Sequence, residues 1–188
     1  MPTNDSHISI LQNRVGANGD QSAFQELYYL LYKELFRFAT VFVYEKVLAE
    51  EVIQDVFAKM WLQREKLADI HNLKVYLYSS VKNAAINYRK KYPLQSLADP
   101  DLSAMELSYK TPTPEDLMIS AQMLAFINKA IHSMPPQCKL VFLLVKADRL
   151  KYKEVAHVLN ISIKTVETQM SIALKKLGTA IQIPLPKK

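Results

Sequence analysis

The chain of 188 residues is long enough for one domain or two small ones, and its 49% hydrophobic and 22% charged residues exclude wholesale disorder. Only three glycines occur, which favours helices over a sheet with many tight turns, so we predict an all-α fold. The net charge of +6 is concentrated in residues 119–188, where 11 Lys and Arg face 3 Asp and Glu, and this asymmetry indicates a polyanionic partner such as nucleic acid.

Three features bear on the compartment in which the chain works. The longest strongly apolar run, Leu140–Val145, is too short to span a bilayer. The N-terminus lacks the basic start and long apolar core of a signal peptide. The single cysteine, Cys138, excludes an internal disulfide framework, and its apolar setting favours a buried thiol over a nucleophile. We therefore expect a cytoplasmic protein.

Apolar periodicity predicts three helices in the first half of the chain, from about Phe24 to Val43, Leu48 to Leu62 and Leu73 to Tyr88. In the second of them the apolar face comprises Ala49, Val52, Ile53, Val56 and Met60. The opposite, acidic face comprises Glu51, Gln54, Asp55, Ala58 and Leu62. This face suits docking to another protein, although an ordinary solvated helix face explains it as well.

The third helix combines amides, aromatic rings and cations. Its predicted core stripe is Leu73, Leu77, Val81, Ala84 and Tyr88. Its outer side presents Tyr78, Ser79, Lys82, Asn83, Ile86, Arg89 and Lys90, with Asn87 on the flank. Rings stack on bases, amides read base edges and cations follow the backbone, so this side is typical of a platform for single-stranded nucleic acid. Aromatic residues in a core and a solvated basic end are the alternative.

An acidic, proline-containing segment separates the two halves. Residues 93–116 hold four prolines and five acidic residues with weak periodicity, so we interpret them as a linker. Helical periodicity resumes from Leu117 to Met134, and the prolines that follow stop it. Pro136 can open the next helix.

Residues 150–178 have the parts of a helix-turn-helix. In the first helix the inward residues are Val155, Ala156 and Leu159, and residues 160–162 form a short turn. Ser162 is a natural N-cap for the second helix, and Gly178 can end it. The predicted inward face of that helix comprises Ile163, Val166, Met170, Ala173, Leu174 and Leu177.

The outward face of the same helix comprises Lys164, Thr165, Thr168, Ile172 and Lys175. Hydroxyls and lysines suit phosphates and base edges in a major groove, and Ile172 can meet a thymine methyl. Cations before the turn can hold the DNA backbone: Lys146, Arg149, Lys151 and Lys153. An ordinary solvated amphipathic helix explains the lysines equally well.

Together and in this order, the two modules resemble a group IV, or extracytoplasmic function (ECF), sigma factor of bacterial RNA polymerase. The segments that carry the likeness to the family's region 2 are "FQELYYLLYKELFRFA", "EEVIQDVFAKMW" and "YLYSSVKNAAINYRKK". The segment that resembles its region 4 is "MPPQCKLVFLLVKADRLKYKEVAHVLNISIKTVETQMSIALKKL". The resemblance covers Gln21–Lys91 and Leu117–Gly178. It divides the chain into an extension (1–20), region 2 (21–92), the linker (93–116), region 4 (117–180) and a tail (181–188).

The resemblance implies roles for individual residues. Those that fall where the family meets the clamp helices of the polymerase largest subunit are Glu51, Gln54, Asp55 and Phe57. Those assigned to the −10 element are Tyr78, Lys82, Asn83, Asn87, Arg89 and Lys90. Those assigned to the −35 element are Lys153, Lys164, Thr165, Thr168, Gln169 and Lys175. Region 4 would also meet the polymerase flap, and the linker would thread toward the active centre.

The chain departs from the common family pattern at two places. Arg149 stands where many relatives have glycine, and Ile172–Leu174 stands in place of an Arg-Ala pair. The second departure resembles the FecI-like subgroup of the Bacteroidetes, which implies a membrane-anchored anti-sigma factor of FecR-like type as a partner.

We therefore expect a transcription initiation factor that binds core polymerase and promoter DNA, with no cofactor and no small-molecule substrate. A helix-turn-helix activator with an N-terminal regulatory domain is the alternative, and a structural adaptor is a further one. An enzyme is disfavoured because the four histidines form no spaced metal set and no glycine-rich phosphate loop or nucleophile elbow occurs.

Overall fold

The computed structural model describes residues 4–91 and 126–181. All regular secondary structure in these residues is helical, which confirms the predicted fold class. The chain divides into two compact units, Met1–Asp101 and Leu102–Lys188. The predicted linker (93–116) and the tail (182–188) lie outside the described residues. Among those described, no helix combines the length and the apolar character needed to cross a membrane.

Within residues 4–91, unit 1 contains four α-helices and one 3-10 helix. They are α1 (Asn4–Asn18), α2 (Gln21–Val43), α3 (Lys46–Leu62), the 3-10 helix η1 (Arg64–Asp69) and α4 (Leu73–Lys91). The long helix α2 packs against α1, α3 and α4. Its leucines Leu27, Leu31 and Leu35 repeat every fourth residue and are fully buried, so one stripe of α2 forms the centre of the core.

The first 20 residues, which we expected to form an extension, contribute to this core. Leu11 and Val15 of α1 are buried, and α1 packs against α2 and η1. The buried Gln12 donates from Nε2 to the carbonyl oxygens of Leu67 (2.7 Å) and Ile70 (2.6 Å), which anchors the chain after η1. Helix α1 is therefore a structural part of unit 1.

Asp20 joins α1 to α2 as the N-cap of α2. Its Oδ1 accepts from the backbone N–H groups of Ser22 (3.0 Å) and Ala23 (3.1 Å), and its Oδ2 accepts from Arg14 at 2.7 Å. The hydrogen bonds from Ser22, from the Ala23 backbone and from Arg14 hold the pKa of Asp20 well below its usual range. The start of α2 is thus defined by a capping carboxylate that stays ionised at neutral pH.

Unit 2 is described from residue 126. Residues 126–132 are helical, and α5 (Pro136–Lys146), α6 (Tyr152–Leu159) and α7 (Ile163–Ile181) follow. The start of α5 at Pro136 agrees with the prediction, and α7 packs against both α5 and α6. The expectation that Gly178 ends α7 is wrong: the helix continues to Ile181, since a glycine inside a helix is tolerated at a modest cost.

Candidate nucleic-acid interface

The outward face of α3 is acidic and ends in an exposed leucine. Glu51 and Gln54 are exposed, Asp55 is half-buried, and Leu62 is 77% exposed. The opposite face is buried as predicted at each of its five positions: Ala49, Val52, Ile53, Val56 and Met60. Because that apolar face holds α3 against the core, the acidic face is presented on a rigid support.

Phe57 does not belong to this outward face. Its side chain is 2% exposed, and its ring centroid lies 4.9 Å from that of Tyr28 and 6.1 Å from that of Phe24, both in edge-on arrangements. The expected direct contact between Phe57 and a partner is therefore corrected. Its position in the aromatic core between α2 and α3 makes it a support for the neighbouring Glu51, Gln54 and Asp55.

The buried stripe of α4 is wider than the sequence predicted. It comprises Leu73, Lys74, Leu77, Tyr78, Val81 and Ala85, whereas Ala84 and Tyr88 are half-buried. Two neighbours cause the difference, since α4 packs against both α2 and α3. Lys74 is accommodated because its Nζ lies 3.0 Å from Oε2 of Glu34 on α2.

Tyr78 lies inside this stripe with no measurable exposure, and its ring centroid is 5.0 Å from that of Phe38. The expected exposed position of Tyr78 is therefore wrong. The aromatic ring that α4 does expose belongs to Tyr76, which is 39% exposed and was missed. At 100° per residue Tyr76 shares a side of α4 with Asn83, Asn87 and Lys90. The successive steps between these residues are seven, four and three, so the sequence alone could have predicted this shared side.

The second half of α4 presents the amides and cations predicted for it. Asn83, Asn87, Arg89 and Lys90 are exposed, and the two asparagines stand one turn apart on the same side of the helix. Lys82 is half-buried, and burial lowers the pKa of its amine. Hydrogen-bonding groups and positive charge are thus gathered on one end of α4.

One hydrogen bond joins the acidic face of α3 to this end of α4. The hydroxyl of Tyr88 donates to Oδ2 of Asp55 at 2.5 Å. Tyr88, which we expected to be a core residue, is half-buried and has its polar end on α3.

In unit 2, α6 and α7 form the predicted helix-turn-helix. Asn160 adopts the left-handed conformation at φ 56°, and the N–H of Ile161 donates back to the carbonyl of Ala156 at 3.0 Å. Ser162 caps α7 as predicted, since its Oγ accepts from the N–H of Thr165 at 3.0 Å. The turn therefore ends α6 and starts α7 within three residues.

The buried face of α7 contains fewer residues than predicted. Val166, Met170 and Ala173 are buried, but Ile163 (45% exposed) and Leu174 (50% exposed) are not, so their inward assignment is wrong. The predicted outward residues Lys164, Thr168, Ile172 and Lys175 are exposed, while Thr165 and Gln169 are half-buried. On the preceding helix Lys153 is exposed too. Hydroxyls, cations and an isoleucine share one open face, a set suited to a duplex groove.

No cluster of three or more His, Cys, Asp or Glu able to hold a metal ion occurs within residues 4–91 and 126–181. Cys138 is buried, and its Sγ lies 3.4 Å from the backbone oxygen of Gln169. Burial raises the pKa of this thiol, which favours its structural interpretation.

The two units match two regions of one family. Residues 26–92 match the family model of Sigma-70 region 2, and residues 127–177 match that of Sigma-70, region 4. The ECF RNA polymerase sigma factor SigM of Bacillus subtilis (strain 168) is 23% identical over 139 residues, which cover 73% of this chain and 82% of SigM. The ferric citrate uptake sigma factor FecI of Escherichia coli (strain K12) is 24% identical over 127 residues, 68% of this chain and 72% of FecI.

A solved structure supports the same fold. The sigma factor RpoE, in its co-crystal structure with the anti-sigma factor NepR from Bartonella quintana, aligns with a TM-score of 0.52 at 19% sequence identity. The alignment covers 86% of this chain and 98% of RpoE.

Proposed function

The chain belongs to the sigma-70 family as an extracytoplasmic function sigma factor, and from this premise we propose how its surfaces divide between core RNA polymerase and promoter DNA. As a sigma factor it binds core polymerase and directs promoter-specific initiation. The match of residues 26–92 to region 2 removes the helix-turn-helix activator as an alternative. The sigma-70 family is not a class of enzymes, and we assign this chain no catalytic residue and place its work in the cytoplasm.

Polymerase docking is assigned to the acidic face of α3. The observation that supports it is the combination of exposed Glu51 and Gln54 with a fully buried opposite stripe, which leaves the acidic side chains as the outward surface of a rigid helix. Asp55 and the 77% exposed Leu62 extend this face. Carboxylates around an apolar contact suit a cationic helical partner, in which complementary charge sets orientation and the rate of encounter.

Capture of the melted −10 strand is assigned to the outer side of α4. The single observation that carries it is the exposure of Asn83 and Asn87 one turn apart, on the same side of α4 as the exposed ring of Tyr76 two turns earlier. Amides can read the edge of an unpaired base, and a tyrosine can stack on a neighbouring one. Stacking and edge contacts offset the cost of unpairing, which is a few kcal/mol per flipped base. Lys82, Arg89 and Lys90 supply positive charge for the backbone.

Recognition of the −35 duplex is assigned to the open face of α7. Thr168 and Lys175 are exposed there with Lys164, and Thr165 and Gln169 lie at its edge. The ion pair of Lys164 with Glu167 at 3.4 Å is exposed to solvent, so it adds little stability and Lys164 can exchange it for a phosphate. The exposed Lys153 on α6 is assigned to the DNA backbone, and the flap of the polymerase is the protein partner proposed for this unit.

An anti-sigma factor is the proposed regulatory partner. The sigma factor RpoE, which shares the fold, was crystallised with one. The FecI-like subgroup and a membrane-anchored, FecR-like partner stay predictions from the resemblance of residues 172–174.

Run-off transcription tests the proposal as a whole. Purified core polymerase is given a genomic fragment library with and without this protein. We expect new start sites that share two short upstream motifs. Sequence-specific duplex binding by the protein alone, without new start sites, would contradict it.

Two substitutions separate the assigned surfaces. Lys175→Ala should lower initiation from −35-dependent promoters about tenfold and reduce the salt dependence of duplex binding by about one ion, with core affinity unchanged. Glu51→Ala should instead weaken core affinity, measured by fluorescence anisotropy of the labelled protein. Lys129→Ala, which removes another exposed lysine of unit 2, is the matched control. If Lys175→Ala lowered initiation and core affinity equally, Lys175 would not be a DNA-contacting residue.

A further inference from the structure

Asp55 and Tyr88 belong to two surfaces with different partners in the proposed function. Asp55 is on the acidic face of α3, next to the exposed Gln54. Tyr88 follows Asn87 and precedes Arg89 at the strand-reading end of α4. Their hydrogen bond, Tyr88 Oη to Asp55 Oδ2 at 2.5 Å, is a direct link between the two surfaces.

The bond has the properties of an orienting contact. A hydroxyl that donates to a carboxylate forms one of the shorter and stronger hydrogen bonds in proteins. Both side chains are half-buried, so water competes less than it does at the open surface. Within the described residues the Asp55 carboxylate accepts a side-chain hydrogen bond from Tyr88 at Oδ2, and its second oxygen, Oδ1, can accept from a docked protein.

We propose that Tyr88 is a positioning residue that couples polymerase docking on α3 to strand capture on α4 through its hydrogen bond with Asp55. The inference rests on the proposed function of both faces. A donor from the polymerase that binds Oδ1 restricts the Asp55 carboxylate, and the restricted carboxylate holds the Tyr88 hydroxyl at a lower entropic cost. The last turns of α4, which carry Asn87, Arg89 and Lys90, become more ordered as a result.

Coupling of this kind is reciprocal. If core polymerase orders the end of α4, then a strand bound to α4 raises the affinity of α3 for polymerase by the same factor. The face that reads the strand would then be fully ordered in the holoenzyme, where it is needed, and less so in the free protein. A bond with a purely structural role predicts equal order in both states.

Hydrogen exchange of the full-length protein, free and bound to core polymerase, tests the coupling. Tyr88→Phe removes the donor and keeps the ring. Tyr29→Phe removes a hydroxyl from a tyrosine that is 70% exposed on α2, and serves as the matched control. Asp55→Asn keeps an acceptor for Tyr88 while removing the charge. Exchange is followed at the amide groups of residues 85–91, and core affinity is measured in parallel.

In the wild type and in Tyr29→Phe, core polymerase should slow exchange at residues 85–91 about threefold to tenfold, the range that one net hydrogen bond supports. In Tyr88→Phe this slowing should disappear while core affinity stays within about threefold of wild type. Asp55→Asn should bind core more weakly and still show the slowing when core polymerase is saturating.

Persistence of the slowing in Tyr88→Phe would overturn the proposal, because the bond would then have only a packing role. A parallel loss of core affinity and thermal stability in Tyr88→Phe would overturn it in the same way. A wild-type holoenzyme that forms without slowing refutes the coupling and leaves the proposed function intact. Failure of every variant, wild type included, to bind core polymerase refutes the proposed function and the coupling with it.

Discussion

Helices α4 and α7 are both 19 residues long and both are assigned to reading nucleic acid, but they differ in how the rest of the protein defines their surfaces. Helix α4 packs against α2 and α3, and six of its residues are buried, including Lys74. Among residues 163–179 of α7 the buried ones are Val166, Met170 and Ala173. When many residues of a helix are buried, the helices packed against it determine which of its residues remain exposed.

The polar contacts of α4 and α7 differ in the same way as their packing. On α4 they reach other helices, through Lys74 to Glu34 at 3.0 Å and through Tyr88 to Asp55 at 2.5 Å. On the open face of α7 they are local: Thr168 donates to the carbonyl of Lys164 at 2.9 Å. Under the proposed coupling, α4 responds to what binds elsewhere on unit 1, whereas the reading face of α7 is supported by its own turn and cap.

The largest expected effect tests whether Phe57 stabilises unit 1 as a core residue beneath the acidic face of α3. Phe57→Ala should lower the free energy of unfolding of unit 1 by about 3–5 kcal/mol, because it leaves a cavity among packed aromatic rings. Fluorescence of Trp61, the only tryptophan, reports this unfolding in urea. Leu62→Ala, which truncates a residue that is 77% exposed, should change it by less than about 0.5 kcal/mol.

If Phe57→Ala left the urea midpoint unchanged and reduced only core binding, Phe57 would be an interface residue and the contrast between its burial and the exposure of Glu51 would lose its meaning.

A smaller effect is expected where α7 depends on its own cap. Ser162→Ala should destabilise unit 2 by about 1 kcal/mol, since it removes the oxygen that accepts from the N–H of Thr165. Hydrogen exchange of the slowest amide groups in α7 measures this loss. Ser171→Ala removes a hydroxyl from the exposed middle of the same helix and should stay within about 0.5 kcal/mol of wild type. Equal losses in the two variants would mean that the cap does not determine the stability of α7.

The smallest effect concerns the turn before α6. Arg149 has a φ of 58°, in the left-handed region that favours glycine. Arg149→Gly should stabilise unit 2 by about 0.5 kcal/mol, because relief of about 1–2 kcal/mol of strain exceeds the added entropy of an unfolded glycine. The same exchange measurement detects it. Asn160→Gly, at φ 56°, should be close to neutral because asparagine enters this region readily, and a larger gain there would contradict the strain at Arg149.

Predictions from the sequence succeeded where one short segment contains all the relevant groups. The buried stripe of α3, the cap at Ser162 and the start of α5 at Pro136 depend on residues within one or two turns. Predictions failed where several helices meet. Tyr78 was placed outside because a single-helix projection cannot show that α2 covers it, and the contact assigned to Phe57 from the resemblance did not account for its burial against α2. The exposure of Tyr76 was missed for the same reason.

The sequence by itself determined the helical fold class, the helix-turn-helix and the family resemblance, because apolar periodicity, caps and turns are local properties of the chain. Only the tertiary structure decided that α1 belongs to the core of unit 1, that Tyr76 and not Tyr78 is exposed on α4, and that Asp55 is bound to Tyr88. These outcomes depend on which helices lie beside one another. Residues 33 positions apart share a hydrogen bond here only because packing of the apolar stripes brings α3 and α4 together.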